Sequence, residues 1–478
     1  MKISTSLLSG FVLLSGWASF GAPKNILFIA VDDLRPELAC YGVDGVKTPN
    51  LDRLAETGTL FQRAYCQQAV CGASRLSIMG GLYPTRTGEH TYHVEGWRKR
   101  HPDLLTMNQH FGKNGYTTVG LGKIYHGTGG AGVDEAGWDR WIKVSAPLYA
   151  NPADGESAKG YTKNKKKGRK RGPATEVADV DDDFFADGLR TRAASEQLMK
   201  LGQAKKPFFL AVGFTKPHLP FVAPKRYWDL YDRSDFSMPE NKGIPAGYPE
   251  YAANQKAGEL RAYTDYKGNS PKDFSKATNQ RLLHGYAACV SYMDANVGRV
   301  LDTLETAGLA ENTIVVFWGD HGWKLGDHSS WVKHTNFECD TRVPLMVRVP
   351  GKSQGEATPR LVELIDLYPT LCELTGLPVP EHCQGKSFAR LMEDVTRGHR
   401  SGAYSVYPAG GKIGHSIRFS KYRYTEWIEE EGAAPVAAVL TDLKADPGEV
   451  TNVIDAPAHA EALERAKVLL AERRKNAL

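Results

Sequence analysis

Four short apolar runs along the chain have the length and the β-branched or aromatic content of buried strands. They cover residues 26–31, 117–121, 208–214 and 313–318, and segments with helical periodicity separate them. A run that is apolar at almost every position is typical of a strand with both faces covered. The pattern therefore predicts an α/β fold with a mostly parallel sheet flanked by helices.

Two helices are predicted together with their ends. The longer one covers residues 281–307, where apolar side chains recur on one face and Gly308 stands at the position of a C-terminal cap. The shorter one covers residues 51–57, with Asn50 as its N-cap and Gly58 directly after it.

The pattern changes to shorter elements from about residue 385. Residues 416–419 and 422–427 are typical of strands in a small antiparallel sheet, and a final helix is predicted over 458–474. We therefore divide the chain into a main domain, residues 22–384, and a smaller C-terminal α+β domain, residues 385–478.

Two polar stretches, residues 151–183 and 241–275, are interpreted as long surface excursions of the main domain. Insertions of this length often shape a substrate cleft. The first contains the basic run KNKKKGRK from Lys163, followed by Arg171. Such a run is usually a solvated loop, and a loop that binds polyanions is the alternative. The net charge of the whole chain is only +5, and we expect no nucleic-acid partner.

The N-terminus has the features of a signal peptide, predicted over residues 1–21. Lys2 provides a basic start, residues 7–20 are apolar, and small residues precede Ala22. A membrane anchor is the alternative, but the apolar stretch is shorter than the roughly 20 residues that span a bilayer. We therefore expect an exported protein, periplasmic or secreted, without a membrane span.

Export would place the seven cysteines where disulfides form, and an odd number leaves at least one unpaired or chemically altered. Cys372 and Cys383 are close enough in sequence to pair, although spacing does not fix the connectivity. Cys71 begins the segment CGASR, and apolar residues follow it, so it is expected near a helix start, where negative charge is favoured. A buried structural thiol is the alternative interpretation.

Ionisable side chains follow all four predicted strands. In chain order they are Asp32 and Asp33, Lys123 and His126, Lys216 and His218, and Asp320 and His321. Any one of them could be a cap or a solvated charge, but the carboxyl ends of parallel strands meet at one edge of the sheet. Adjacent carboxylates repel each other without a cation, so Asp32, Asp33 and Asp320 predict a hard-metal cluster. His321 fits less well, because calcium and magnesium prefer oxygen.

Several segments resemble those of the sulfatase family, in the same order along the chain. They are VDDLRPELACYG from Val31, CGASR from Cys71, GKIYHG from Gly122, KPHLPFVAPK from Lys216 and GDHGWKLGDHSSWVKHTNF from Gly319. The last two are most similar to the iduronate-2-sulfatase branch, in which Asp-His replaces the common Asp-Asn. The resemblance covers about residues 25–452 and includes DLKADPGEVTN, which is similar to a C-terminal signature of the family.

The resemblance implies an alkaline-phosphatase-like fold and a cysteine that a maturation enzyme oxidises to formylglycine. It implies one bound divalent metal, calcium or else magnesium, with the ligands Asp32, Asp33, Cys71, Asp320 and His321. The other implied roles are stabilisation of the formylglycine by Arg75, sulfate binding by Lys123 and Lys333, and proton transfer by His126 and His218.

The implied function is removal of sulfate from a sulfated oligo- or polysaccharide, specifically a 2-O-sulfated uronic acid of a glycosaminoglycan or algal polysaccharide. Two positions depart from the family motif: Ala73 replaces the commoner proline, and residues 79–82, Met-Gly-Gly-Leu, replace Leu-Thr-Gly-Arg. Two alternatives remain open. One is a phosphate-ester hydrolase of the same superfamily with unmodified Cys71, and the other is a sulfated-glycan-binding protein that lost the modification and catalysis.

Overall fold

The computed structural model describes residues 24–478 without 93, 95, 128–129, 164–170, 205, 256–257, 267–273 and 353–354. The strands are β1 (Asn25–Val31), β2 (Thr59–Tyr65), β3 (Thr117–Gly122), β4 (Arg140–Ile142), β5 (Thr175–Ala178), β6 (Phe208–Gly213), β7 (Phe221–Pro224), β8 (Thr313–Gly319), β9 (Arg342–Val343), β10 (Leu345–Arg348), β11 (Glu356–Glu363), β12 (Ala403–Ala409), β13 (Lys412–Phe419), β14 (Tyr422–Ile428) and β15 (Ala437–Asp442). The helices are α1 (Pro49–Thr57), α2 (Cys71–Gly80), α3 (Pro84–Thr87), α4 (Trp97–Arg100), α5 (Met107–Lys113), α6 (Pro152–Lys163), α7 (Ala186–Gly202), α8 (Lys225–Trp228), α9 (Glu250–Ala253), α10 (Lys276–Thr306), α11 (Glu338–Thr341), α12 (Leu367–Thr375) and α13 (Ala460–Ala477).

The four apolar runs of the sequence form four neighbouring parallel strands, in the order β8-β1-β6-β3. Ile29 of β1, for example, lies opposite Phe317 of β8 and Val212 of β6. The larger sheet continues with antiparallel β10, then β2 and β11 on one side, and with β4 on the other. The prediction of a mostly parallel sheet is confirmed.

Both faces of this sheet are covered, which explains why its central strands are mainly apolar. Ile29 belongs to a core that includes residues of α7 and α10, such as Leu198 and Val297. Phe28, its neighbour on the opposite face, belongs to a second core, which includes Leu76 of α2. Alternate side chains of one strand therefore support helices on opposite sides, and the predicted α/β layering is confirmed.

The helix ends differ in part from their predictions. Helix α10 begins earlier than predicted, because its first turns are polar and capped by Ser275, whose side chain accepts a hydrogen bond from the backbone N–H of Thr278. Gly308 follows α10 in the left-handed conformation, with φ of +68°, where glycine is favoured over residues with a β-carbon.

The predicted N-cap of α1 is wrong. Thr48 is the N-cap, and Pro49 takes the first helical position, where its missing N–H costs nothing. Asn50 lies inside the first turn instead, and its side-chain amide donates a hydrogen bond of 2.8 Å to Asp294 of α10. The end of α1 before Gly58 is as predicted.

The two polar stretches are less superficial than predicted. Within residues 151–183, strand β5 pairs in parallel with β7, and Ala174 is buried. Within residues 241–275, Tyr263 is completely buried in the core that contains α10. Both stretches therefore contribute to the main core. Most of the basic run, residues 164–170, and the predicted signal peptide, residues 1–21, lie outside the described residues.

The C-terminal part contains the predicted antiparallel sheet, with the order β12-β13-β14-β15. Helix α13 packs on it through Ala466 and Leu470. Glu363, at the end of β11, accepts a hydrogen bond of 2.8 Å from the backbone N–H of Tyr404 and so ties this sheet to the larger one. The domain division at residues 384 and 385 stays a prediction. Among the described residues, no helix has the length and apolar character to cross a membrane.

Candidate active site

The order of the central strands brings their ionisable residues to one edge of the sheet. Asp320, after β8, accepts a hydrogen bond of 3.1 Å from the backbone N–H of Asp33, after β1. His218, after β6, has its Nε2 3.8 Å from Oδ2 of Asp33, and Lys123, after β3, forms an ion pair with Asp32. The sequence therefore predicted the grouping of these residues.

Cys71 lies at the first position of α2, as the sequence indicated, and only 2% of it is exposed. Its Sγ lies 3.1 Å from Nε2 of His321 and 3.5 Å from Oδ1 of Asp32. Burial and the negative charge of Asp32 raise the pKa of the Cys71 thiol well above its ordinary value. The unmodified thiol is therefore held protonated, and a protonated thiol is a poor nucleophile.

The start of α2 packs closely against the following loop. A β-carbon on Gly72 would lie 2.6 Å from the backbone oxygen of Thr91, which excludes any side chain there. The departures from the family motif lie at the other end of the helix. A β-carbon on Gly80 would lie 3.0 Å from Leu104, and Gly81 is the left-handed C-cap of the helix. Leu104 therefore occupies the space that a side chain at residue 80 would need.

Four residues provide donor atoms that could hold a metal ion, all within 4.8 Å of one another: Asp32, Asp33, Cys71 and His321. Oδ2 of Asp33 is buried and has no hydrogen-bond partner among the described residues. A buried carboxylate oxygen without a partner is costly, and a divalent cation would remove that cost. The donor set therefore fits a hard metal, with His321 as its least typical member.

Asp320 does not belong to this group of four donor residues. Its carboxylate accepts hydrogen bonds from Nε of Arg75, at 2.8 Å, and from the backbone N–H groups of Asp33 and His321. Its Oδ2 also lies 3.4 Å from Nε2 of His321, next to the group. Its predicted role as a metal ligand stays a prediction.

Arg75 is completely buried on the same helix as Cys71. Its Nε pairs with Asp320, its second amino group lies 3.8 Å from Asp32, and it donates to the backbone oxygen of Lys123. Two carboxylates thus compensate the buried guanidinium, which would otherwise be strongly destabilising. Arg75 therefore links the residues that follow β8, β1 and β3.

Two lysines place positive charge near Cys71. Nζ of Lys333 lies 2.7 Å from Oδ1 of Asp33, and Lys123 pairs with Asp32. Burial alone would lower the pKa of both ammonium groups, but the neighbouring carboxylates raise the pKa of each above its ordinary value. Both lysines therefore remain cationic, as binding of a sulfate anion requires.

The two histidines that were predicted to transfer protons have opposite environments. Burial and the nearby Lys123 lower the pKa of His126 to about 3, so this ring is neutral. For His218, burial acts in the same direction, but the charges of Glu259 and Asp32 outweigh it and raise the pKa. Groups whose pKa values are pushed apart are suited to act as base and acid, respectively.

Sequence reasoning missed Glu259, which lies in a short 3-10 helix, Gly258–Ala262. Its Oε2 lies 3.2 Å from Nε2 of His218, and its Oε1 lies 3.6 Å from Nζ of Lys333. It follows no predicted strand, so the only signal was its place in the polar stretch 241–275. Lys216, which the sequence analysis did name, contacts the backbone instead. Its Nζ donates to the backbone oxygen of His218, at 3.2 Å, and so supports the loop after β6.

Solved structures share this fold over nearly the whole chain. A 2-O GAG sulfatase superposes with a TM-score of 0.73 at 21% sequence identity, covering 95% of this chain and 92% of that chain. A phosphonate monoester hydrolase of Agrobacterium radiobacter superposes with a TM-score of 0.74 at 21% identity, covering 95% and 96%. These similarities define the fold class, which is alkaline-phosphatase-like, and they leave the type of ester open.

The sequence comparisons decide the family. Residues 24–377 match the family described as Sulfatase, and residues 326–476 match N-sulphoglucosamine sulphohydrolase, C-terminal. Iduronate 2-sulfatase of Mus musculus is 34% identical over 477 residues, which cover 84% of this chain and 84% of that protein. The chain belongs to the sulfatase family of sulfuric ester hydrolases, and the resemblance inferred from its motifs is confirmed.

Proposed function

We propose that the protein removes sulfate from a 2-O-sulfated uronic acid of a glycosaminoglycan or algal polysaccharide, using a formylglycine made from Cys71 and one divalent metal ion. The observation that carries this proposal is the position of Cys71, which is buried between His321 and Asp32 at the start of α2. The names of two similar proteins, an iduronate 2-sulfatase and a 2-O GAG sulfatase, support the choice of sugar.

The environment of Cys71 favours modification over catalysis by the thiol itself. Its raised pKa keeps the sulfur protonated, and attack by a thiolate on a sulfate ester would leave a stable thiosulfate-like adduct. A formylglycine hydrate supplies one hydroxyl for attack on sulfur and a second hydroxyl whose deprotonation expels sulfate. A formylglycine-generating maturation enzyme is therefore a proposed partner.

The metal that the family implies fits the residues present. Asp32, Asp33 and His321 would hold it, together with modified Cys71 and Asp320, and the oxygen-rich donor set favours calcium, with magnesium as the alternative. A bound divalent ion supplies charge neutralisation at the sulfate and a more acidic hydroxyl at residue 71.

The side chains around this group have complementary tasks. Lys123 and Lys333 bind the sulfate oxygens, and their charges stabilise the negative charge of the transition state. His218, whose pKa is raised, donates a proton to the departing sugar oxygen. Neutral His126 then accepts a proton when sulfate is released.

Two measurements on the exported protein from its native host test the proposal. Mass spectrometry of the peptide that spans residues 65–75 should show formylglycine at residue 71. The same preparation should release sulfate from a 2-O-sulfated uronic acid disaccharide. A free thiol with glycan binding but no turnover would favour the binding protein, and faster release of phosphate than of sulfate would favour the phosphate-ester hydrolase.

A further inference from the structure

Glu259 lies between two functional cations of the proposed site and contacts each with a different oxygen. Oε2 lies 3.2 Å from Nε2 of His218, and Oε1 lies 3.6 Å from Nζ of Lys333. His218 follows β6 and Lys333 lies beyond β8, so the sheet alone does not fix the distance between these two groups. The carboxylate of Glu259 contacts both groups and therefore fixes this distance directly.

The ring of His218 is oriented from both sides. Its Nδ1 lies 2.7 Å from the backbone oxygen of Leu219, and its Nε2 faces Glu259. Because a carbonyl and a carboxylate only accept hydrogen bonds, each ring nitrogen is placed as a donor. Without Glu259, the nearest carboxylate oxygen to Nε2 in the described part of the chain is Oδ2 of Asp33, at 3.8 Å. The direction of the Nε2–H group therefore depends on Glu259.

We propose that Glu259 is a positioning residue of the sulfatase reaction, which holds the His218 ring with its Nε2–H group turned into the site, where the departing oxygen replaces Glu259 as the acceptor. Glu259 also fixes the distance of this group from the sulfate-binding ammonium of Lys333. This inference rests on the proposed function. As the S–O bond breaks, the Nε2 proton moves to the departing oxygen, and the ring regains a proton from water. Glu259 itself neither gains nor loses a proton in this step.

The partial exposure of Glu259 is consistent with a place at the mouth of the site. Its side chain is 31% exposed, whereas only 2% of the Lys333 side chain and 13% of the His218 side chain are exposed. A residue that serves packing alone would have a buried side chain and apolar neighbours. The contacts of Glu259 are instead with the two cations that the reaction uses.

The test compares two sulfate esters that differ in their need for a proton. Departure of 4-nitrophenolate needs little protonation, whereas departure of a sugar alkoxide needs a full proton. In E259Q, the amide keeps the size of the side chain but loses its charge and one acceptor. We expect kcat for a 2-O-sulfated uronic acid disaccharide to fall by about 10- to 100-fold, and kcat for 4-nitrophenyl sulfate to fall by less than about threefold.

E259D and E250Q provide the controls. E259D keeps the charge with a shorter reach and should recover part of the loss on the disaccharide. Glu250 is exposed at the start of α9 in the same stretch of chain, and E250Q should match the wild type. Equal losses on both esters in E259Q, with a lowered melting temperature, would overturn the proposal in favour of a structural role. Failure of the wild type to hydrolyse either ester would contradict the proposed function itself.

Discussion

Nε2 of His321 lies 3.1 Å from Sγ of Cys71, although 250 residues separate them in sequence. The contact joins the residue after β8 to the first residue of α2, and Asp32 after β1 approaches the same sulfur from the neighbouring strand. The group at residue 71 is therefore placed by the sheet and by the start of a helix together. A catalytic group held in this way requires little reorganisation during the reaction.

Replacement of Cys71 by alanine should abolish turnover and leave the fold intact. The side chain is small, and its loss removes the only precursor of formylglycine in the proposed mechanism. We expect sulfate release below about 0.1% of the wild-type rate, since loss of the nucleophile of a serine protease costs about 10⁶-fold in kcat. Sulfate release and thermal unfolding should be measured on the same preparation.

Cys289 offers a matched control for this substitution. Cys289 is also buried, but it belongs to α10, and its Sγ lies 3.6 Å from the backbone oxygen of Val222 in β7. Cys289→Ala should keep its activity, with a modest loss of stability. Sulfatase activity retained in Cys71→Ala would show that residue 71 is not the catalytic group.

The sequence predicted those parts of the molecule in which the residue type at each position depends directly on its local environment. The four central strands are mainly apolar because both faces of the sheet are covered, and the residues after them converge because the strands are parallel. Glu259 escaped prediction because no periodicity or strand end marks it. Asn50 was assigned as an N-cap, but Pro49 fixes the helix start one residue after Thr48.

Calcium should stabilise the protein against heat if the four donor residues bind it. Binding to the folded state alone contributes about 2.7 kcal/mol when the free ion is at 100 times its Kd. We expect the melting temperature to fall in excess EDTA and to recover with added calcium. In Asp33→Asn, which lacks one carboxylate of the group, this calcium-dependent shift should disappear.

Asp229 provides the control for the calcium experiment. Its side chain is 56% exposed in an ion pair with Lys225 on the surface, so Asp229→Asn should keep the full calcium-dependent shift. An equal shift in Asp33→Asn and the wild type would place the ion elsewhere. Magnesium at the same concentration should give the smaller shift, because it demands near-octahedral geometry and gives up its water reluctantly, whereas calcium accepts a flexible set of protein oxygens.

The buried Asp294 should make stability depend on pH. Burial raises its pKa to about 6, although hydrogen bonds from Asn50 and Leu51 act in the opposite direction. Because the folded pKa exceeds the unfolded value of 3.8, the folded state binds the proton more tightly, and this stabilisation is lost as the pH rises from 3.8 to about 6. Relative to Asp294→Asn, the wild type should lose about 2 kcal/mol between pH 4.5 and pH 7.

Urea unfolding of both proteins at the two pH values measures this difference. Asp302→Asn is the control, because Asp302 lies on the same helix but its side chain is 55% exposed. This variant measures what the loss of an exposed carboxylate on α10 does to stability. Parallel stability profiles for the wild type and Asp294→Asn would mean that Asp294 is ionised in the folded protein at acidic pH.

His126 and His218 should fail at different steps when each is replaced. The pKa of His126 is lowered to about 3, so its neutral ring is suited to accept a proton during sulfate release, after the alcohol has departed. His126→Ala should therefore release one equivalent of 4-nitrophenol from 4-nitrophenyl sulfate in a rapid burst and then turn over at about 1% of the wild-type rate or less. Stopped-flow absorbance measures the amplitude of the burst. His218→Ala should show no burst on the sugar sulfate, because the first step is slowed instead. His459→Ala, a substitution at the N-cap of α13, should behave as the wild type. A steady loss without a burst in His126→Ala would assign that ring to the first step, together with His218.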